Sequence, residues 1–235
     1  MRRFALYCLL FVCAVAWAGE TNVRPGVNAP YGDADFHRWQ AVFEAPAREV
    51  YAARDEVLEA LQLRPGMAVA DIGAGTGFYT LLFAQAVGAT GKVYAVDITE
   101  DFIVGTLARA HGMRLDNVVG IVNDPKDTRL PAASIDLAFI CDTYHHFEYP
   151  QTTMTSVRQA LRPNGRLALI DFRREEGVSS AWVLNHVRAD KDRVIKEIEG
   201  VGFALERDLP LLDENYFLVF RKTAETAPAA GGVGQ

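Results

Sequence analysis

The chain has 235 residues, half of them apolar and 23% charged, which is enough to bury one substantial core and does not fit disorder over most of the length. A formal charge of −6, from 24 basic and 30 acidic residues with no Lys/Arg run longer than a doublet, argues against a nucleic-acid surface driven by phosphate neutralisation. A small molecule or a protein is the expected partner. Of the three cysteines, Cys8 and Cys13 lie in the first apolar stretch and only Cys141 lies in the body, so neither a disulfide framework nor a Cys-based metal site follows.

Residues 1–18 open with Arg2 and Arg3, run apolar from 4 to 16, and close on Ala16-Trp17-Ala18, the small-x-small pattern that precedes a signal-peptidase cut. The apolar stretch 4–18 is 15 residues, short of the roughly 20 that a spanning helix needs. Neither Tyr7 before Cys8 nor Val12 before Cys13 suits a lipoprotein. The expectation is an exported protein, periplasmic or secreted, with no stable membrane association after cleavage. Its mature form carries a formal charge of −8 and Cys141 as its only thiol.

Residues 19–35, rich in Gly, Pro, Asn and Asp, read as an extended arm. Val50, Tyr51, Arg54, Val57, Leu58 and Leu61 then recur at three- and four-residue spacings, one face of a helix over 46–61 that the Arg64-Pro65-Gly66 turn ends. Short apolar runs at 68–72, 92–97, 118–122, 135–141 and 166–171 predict strands, and 78–87, 100–111 and 152–161 predict the helices between them. Near-continuous apolar strands alternating with helices mark a parallel sheet covered on both faces, hence an α/β domain. A helix over 191–199 follows, and strands at 203–207 and 216–221 around Asp213-Glu214-Asn215 predict a closing hairpin. The organisation is therefore a leader (1–18), an arm or lid (19–45), a domain (46–222) and a tail (223–235) of Ala, Gly, Pro and Thr expected to be mobile.

The strongest chemical signal is Asp71-Ile72-Gly73-Ala74-Gly75-Thr76-Gly77, a strand running into a glycine turn and then a helix. Glycines there permit positive φ and a close approach of ligand to backbone. The dinucleotide fingerprint G-x-G-x-x-G would need glycine at 78, where the chain has Phe78, and no Gly-Lys-Ser/Thr follows as a Walker loop requires. The second predicted strand ends in Asp97, 20 residues after Gly77, where a carboxylate can accept both hydroxyls of a ribose. Asn123-Asp124 follows the third strand, where an adenine edge would lie; an Asx turn on a solvated loop explains it equally well.

This ordered series, continued by Leu130-Pro131-Ala132-Ala133-Ser134-Ile135-Asp136, resembles the class I S-adenosylmethionine-dependent methyltransferases over roughly residues 57–222. The resemblance implies a Rossmann-like, seven-stranded, mostly parallel sheet with its last strand antiparallel. It implies S-adenosylmethionine as cofactor, held by Asp71, Gly73, Gly75, Thr76, Gly77, Asp97, Ile98, Asp124 and Cys141, with the methionine part near Asp71 and the glycines, the ribose on Asp97 and the adenine near Asp124. It also implies displacement of a sulfonium methyl by a nucleophile in line behind it, with much of the acceleration coming from positioning.

Cys141-Asp142-Thr143-Tyr144-His145-His146-Phe147-Glu148 leaves the fourth strand at the carboxyl edge of the sheet, where open α/β folds place ligands. His145 or His146 can serve as a general base toward an oxygen or nitrogen acceptor, with Tyr144 touching substrate. The histidines can also hold a divalent metal with Asp142 or Glu148, but no third well-spaced ligand is evident and no metal is expected. The plainer reading packs one histidine under the next helix and uses the other to orient the loop. Cys141 reads as a small buried residue more than as a nucleophile. Tyr31, Trp39, Phe43, Tyr51 and Arg54 are candidates for a lid, against simple packing on the sheet edge, and Asp171 and His186 are further candidates to face the pocket. Part of the pattern is reminiscent of arsenite-type methyltransferases, a substrate that one mature cysteine makes doubtful. The expected activity is methyl transfer to an O, N or other nucleophile of a small molecule. A nucleoside-binding protein without catalysis, or an NAD-dependent oxidoreductase lacking the Tyr-x-x-x-Lys pair, are the alternatives.

Overall fold

A computed structural model describes residues 19–32 and 35–224; the predicted leader and all but two residues of the predicted tail lie outside them. Seven strands form one sheet in the order β3-β2-β1-β4-β5-β7-β6. They are β1 (Ala68–Ile72), β2 (Lys92–Asp97), β3 (Val118–Val122), β4 (Ile135–Cys141), β5 (Leu161–Phe172), β6 (Phe203–Leu209) and β7 (Asn215–Lys222). Pairing is parallel from β3 through β5, while β7 runs antiparallel to both β5 and β6. All five residues of β1 are buried, as expected of a central strand covered on both faces.

The helices are α1 (Phe36–Phe43), α2 (Glu49–Ala52), α3 (Arg54–Leu61), α4 (Phe78–Val87), α5 (Glu100–Gly112), α6 (Pro150–Ala160), α7 (Ala181–His186) and α8 (Lys191–Gly200). On one face of the sheet Ile72, Ile140 and Leu169 pack with Tyr144, Met154 and Ile198. On the other, Val69, Phe139 and Val219 pack with Val57, Tyr79 and Phe83. Among the described residues no helix is long and apolar enough to cross a membrane.

Four predicted strands and the helix over 78–87 have the predicted bounds. The helix predicted over 46–61 is broken: Ala53, at φ −89° and ψ 19°, separates α2 from α3, and Arg54 Nη1 donates to the Tyr51 carbonyl there. β5 starts earlier than the predicted 166, because Leu161 pairs with Ile135 ahead of a bulge and Arg166 with Leu137 after it. Two short helices, α1 and α7, have no counterpart in the sequence reading.

The strand order reverses between β1 and β4, which opens a crevice at their carboxyl ends. The glycine turn leaves one of these strands and the His-His-Phe segment leaves the other. Residues 19–32 cross the second segment. Val23 N donates to the Glu148 carbonyl (2.9 Å), Asn28 Nδ2 to the His146 carbonyl (3.2 Å), and the Glu20 carboxylate accepts from Gln151 N and Thr152 N. Glu20 thereby satisfies orphan donors in the first turn of α6, whose own N-cap residue, Tyr149, provides no side-chain bond.

Candidate cofactor and acceptor site

Two cavities meet at the glycine turn, sharing Phe43, Gly73, Gly75, Asp142 and Thr143 in their walls. Gly73 has φ +75°, and a Cβ there would lie 2.2 Å from Thr143 Cγ2; Gly75 has φ +52°, and a Cβ there would lie 3.2 Å from the Phe43 ring. Any side chain at 73 would be strained and would also collide with the wall opposite. Gly73 N and Ala74 N donate to the Val96 carbonyl, which fastens the turn to the end of β2.

The first cavity is lined by Asp97, Ile98 and Asn123 on one side and by Tyr31, His146 and Glu148 on the other. Asp97 is fixed by its surroundings: Oδ2 accepts from Gly75 N (2.8 Å) and Oδ1 from Thr99 N (2.9 Å). Burial raises the Asp97 pKa, with these backbone donors opposing the shift. The second cavity is lined by Asp71, Thr76, Cys141, Arg48 and Phe78. Asp71 accepts from Thr80 Oγ1 (2.6 Å), and burial pushes its pKa up to about 7. Burial also pushes the Cys141 thiol pKa up, which disfavours the thiolate.

The predicted cofactor residues thus divide. Asp71, Gly73, Gly75, Thr76, Asp97, Ile98 and Cys141 line one cavity or the other. Gly77 instead caps α4 and packs on Thr106. Asp124 departs from its expected place, because its Oδ1 accepts from Lys126 N and Asp127 N in an Asx turn and its Oδ2 lies 3.6 Å from Arg129. Asn123, its neighbour, lines the cavity.

The predicted lid divides as well. Tyr31 and Phe43 line the first cavity, and Trp39 packs against both, 4.7 Å from Tyr31 and 5.2 Å from Phe43 between ring centroids. Tyr51 and Arg54 lie outside it, with Tyr51 stacked on Phe78 and Arg54 over Tyr51. Glu44, following α1, latches this cover to the glycine turn by accepting from Thr76 Oγ1 (3.0 Å) and from both terminal nitrogens of Arg109.

In the turn after β4, Tyr144 lines neither cavity. It is 1% exposed within the core, and its hydroxyl donates to Glu197 Oε2 (2.9 Å) on α8, a carboxylate also paired with Arg188. Burial and Glu197 hold the phenol protonated. His145 lies behind the cavity wall, buried, with Nδ1 2.6 Å from Asp171 Oδ1 and its backbone N donating to Asp171 Oδ2 (3.0 Å). His146 does line the cavity, and His186 stands behind it, not on the cavity wall. Burial, then the neighbouring His145, His186 and Arg24, pushes the His146 pKa down to about 3. A ring that weakly basic is poorly matched to removing a proton near neutrality. Neither Asp171 nor His186 lines the cavity.

Sequence reading misses the ion pair between Arg48 and Asp142, which joins the two cavity walls from 94 residues apart and is extended by Asn215 Nδ2 donating to Asp142 Oδ1. It misses the Glu44–Arg109 latch for the same reason, as no local spacing marks either.

Residues 63–213 match the model of a methyltransferase-domain family, well over half of the chain. The nocamycin O-methyltransferase of Saccharothrix syringae is 30% identical over 138 residues, 57% of this chain and 48% of that protein. The ubiquinone/menaquinone biosynthesis C-methyltransferase UbiE of Burkholderia vietnamiensis is 29% identical over 113 residues, 47% of this chain and 45% of that protein. The match thus spans about half the length of these relatives. A SAM-dependent methyltransferase structure from Aquifex aeolicus shares the fold, with a TM-score of 0.72 and 23% identity over 81% of this chain and 100% of that one. With the sheet order that the sequence resemblance implies and the family model matched over residues 63–213, the chain belongs to the methyltransferase-domain family, whose implied cofactor is S-adenosylmethionine.

Proposed function

We propose that this protein transfers a methyl group from S-adenosylmethionine to an O, N or other nucleophile of a small-molecule acceptor. The observation that carries the reading is the meeting of two cavities at Gly73 and Gly75, each with a buried carboxylate in its wall, Asp97 in one and Asp71 in the other. That arrangement fits a molecule with a hydroxylated sugar at one end and a cationic end at the other. When bound, S-adenosylmethionine supplies an electrophilic methyl on a sulfonium sulfur.

Each residue then has a definite task. Asp97, held by two backbone N–H groups, keeps its remaining lone pairs for ribose hydroxyls, and Ile98 and Asn123 offer an apolar face and an amide to the base. Asp71 supplies negative charge to the methionine ammonium, and Arg48 places positive charge on the same cavity. Tyr31 and Phe43 cover the first cavity and exclude water, so acceleration comes from orientation in a dry site. The acceptor enters on the side of Tyr31, His146 and Glu148, opposite Asp97. The relatives include proteins named for O- and for C-methylation, which supports methyl transfer without fixing the acceptor atom. Action outside the cytoplasm is supported by the Arg2-Arg3 start and the Ala16-Trp17-Ala18 close of the leader.

Calorimetric titration with S-adenosylmethionine, S-adenosylhomocysteine and NAD tests this reading. Both sulfur nucleosides are expected to bind one to one and NAD not at all. Asp97→Ala, losing hydrogen bonds to a charged acceptor worth about 1.5–3 kcal/mol, should weaken the sulfur nucleosides about 10- to 100-fold. Saturation by NAD, or by neither sulfur nucleoside, overturns the proposal.

A further inference from the structure

Three of the five histidines converge on one place although two segments supply them. His145 and His146 come from the turn after β4, and His186 ends α7, 40 residues further on. Each offers a ring nitrogen, and these nitrogens all lie within 4.8 Å of one another. The Nε2 atoms of His146 and His186 are 3.3 Å apart. Two neutral imidazoles facing each other through these atoms share one proton between them.

Asp171 adds an independent feature. Its carboxylate, 1% exposed, takes the Nδ1 side of His145 at 2.6 Å and the His145 backbone N at 3.0 Å. In the tautomer that donates from Nδ1 to this carboxylate, Nε2 presents a lone pair, the carboxylate–histidine arrangement that stands behind many metal-bound imidazoles.

We propose that His145, His146 and His186 bind one divalent transition-metal ion of the zinc class, with Asp171 orienting His145 from behind. Three neutral imidazoles select zinc, cobalt, nickel or copper over magnesium and calcium, which require oxygen ligands. The 3.3 Å between the two Nε2 atoms equals the ligand–ligand edge, about 3.3 Å, of a tetrahedron with metal–nitrogen bonds of about 2.05 Å. Three protein ligands leave a fourth position open, on a site of which His146 alone borders the first cavity. The metal site does not rest on the proposed methyl transfer.

The test uses the full chain, stripped with a chelator and titrated with Co²⁺ and then Zn²⁺, followed by calorimetry and by the visible absorption of tetrahedral cobalt. One Co²⁺ per chain is expected, displaced by Zn²⁺ and not by Mg²⁺. His186→Ala should lower the affinity at least 100-fold with far-UV circular dichroism and melting temperature unchanged, and Asp171→Asn should lower it about 10- to 100-fold. His111→Ala, an exposed histidine on α5, should change nothing. Trp182, stacked on His186 at 4.5 Å, provides a second readout through quenching by bound Co²⁺. No stoichiometric binding at 100-fold excess over protein, or binding that survives in folded His186→Ala, overturns the proposal. S-adenosylmethionine titrations of the same samples keep the two readings apart. Cofactor binding without metal overturns the site alone, and metal without cofactor binding overturns the methyltransferase reading alone.

Discussion

The two banks of the crevice are built in opposite ways. On the glycine side, the residues from Asp71 to Thr76 that line the cavities form one continuous stretch, and the backbone itself does much of the work. On the histidine side, residues from the N-terminal arm, the turn after β4, β5 and α7 meet only in the folded chain. The first bank is a local motif, the one on which the family resemblance rests. The second faces the cavity end opposite Asp97, and its chemistry is set by which distant side chains the fold delivers.

The sharpest way to break the glycine bank is Gly73→Val, which adds a branched side chain at φ +75° where even a Cβ meets Thr143 at 2.2 Å. Calorimetry should find cofactor binding abolished; unchanged affinity would mean that the turn does not cradle the ligand. A smaller effect tests whether the second bank separates scaffold from chemistry. Tyr144→Phe removes the hydroxyl bonded to Glu197 and should cost about 1–2 kcal/mol in denaturant unfolding, leaving cofactor affinity and turnover unchanged. A fall in turnover at unchanged stability would return Tyr144 to the reacting centre.

The smallest effect is a pH dependence that the glycine bank carries through Asp71. The folded chain holds a proton on Asp71 up to about pH 7, whereas the unfolded chain releases it near its ordinary value of 3.8. The stability from this group is full below pH 4 and is lost as pH rises to about 7. Ionisation then favours a cationic ligand, so S-adenosylmethionine should bind several-fold more tightly at pH 8 than at pH 6. In Asp71→Asn that slope should flatten; an undiminished slope would assign it elsewhere.

What could be read from the sequence follows the same division. Strands such as 68–72 and 92–97 are continuous apolar runs, and the glycine turn carries its spacing within seven residues, so both are legible. Gly77 and Asp124 show the limit of motif reasoning: each stands at its expected place in the series, yet one packs against Thr106 and the other folds into its own loop. Asn123, one residue away, takes the cavity position instead. The helix over 46–61 has the right face but breaks at Ala53, since its periodicity does not register the break. Arg48–Asp142 and Glu44–Arg109 pair across 94 and 65 residues, and no spacing rule reaches that far. The lack of a third metal ligand in the sequence reading has the same origin, because His186 lies on α7, a helix too short to announce itself by periodicity.

The arm over the crevice has one more consequence. Neither the turn at Ala29–Tyr31 nor α1 contains a fully buried residue; their neighbours Asn28 and Glu44 tie them by polar contacts to His146, Thr76 and Arg109, and Tyr31 and Phe43 add partly exposed ring contacts with Phe102. Each tie contributes only about 0.5–1.5 kcal/mol net, and water replaces them readily. The sheet beneath is locked by apolar burial and need not yield when they part. Amide protons of 36–43 should therefore exchange with deuterium orders of magnitude sooner than those of β1 and β4, and the site behaves as a rigid vessel closed by a soft stopper.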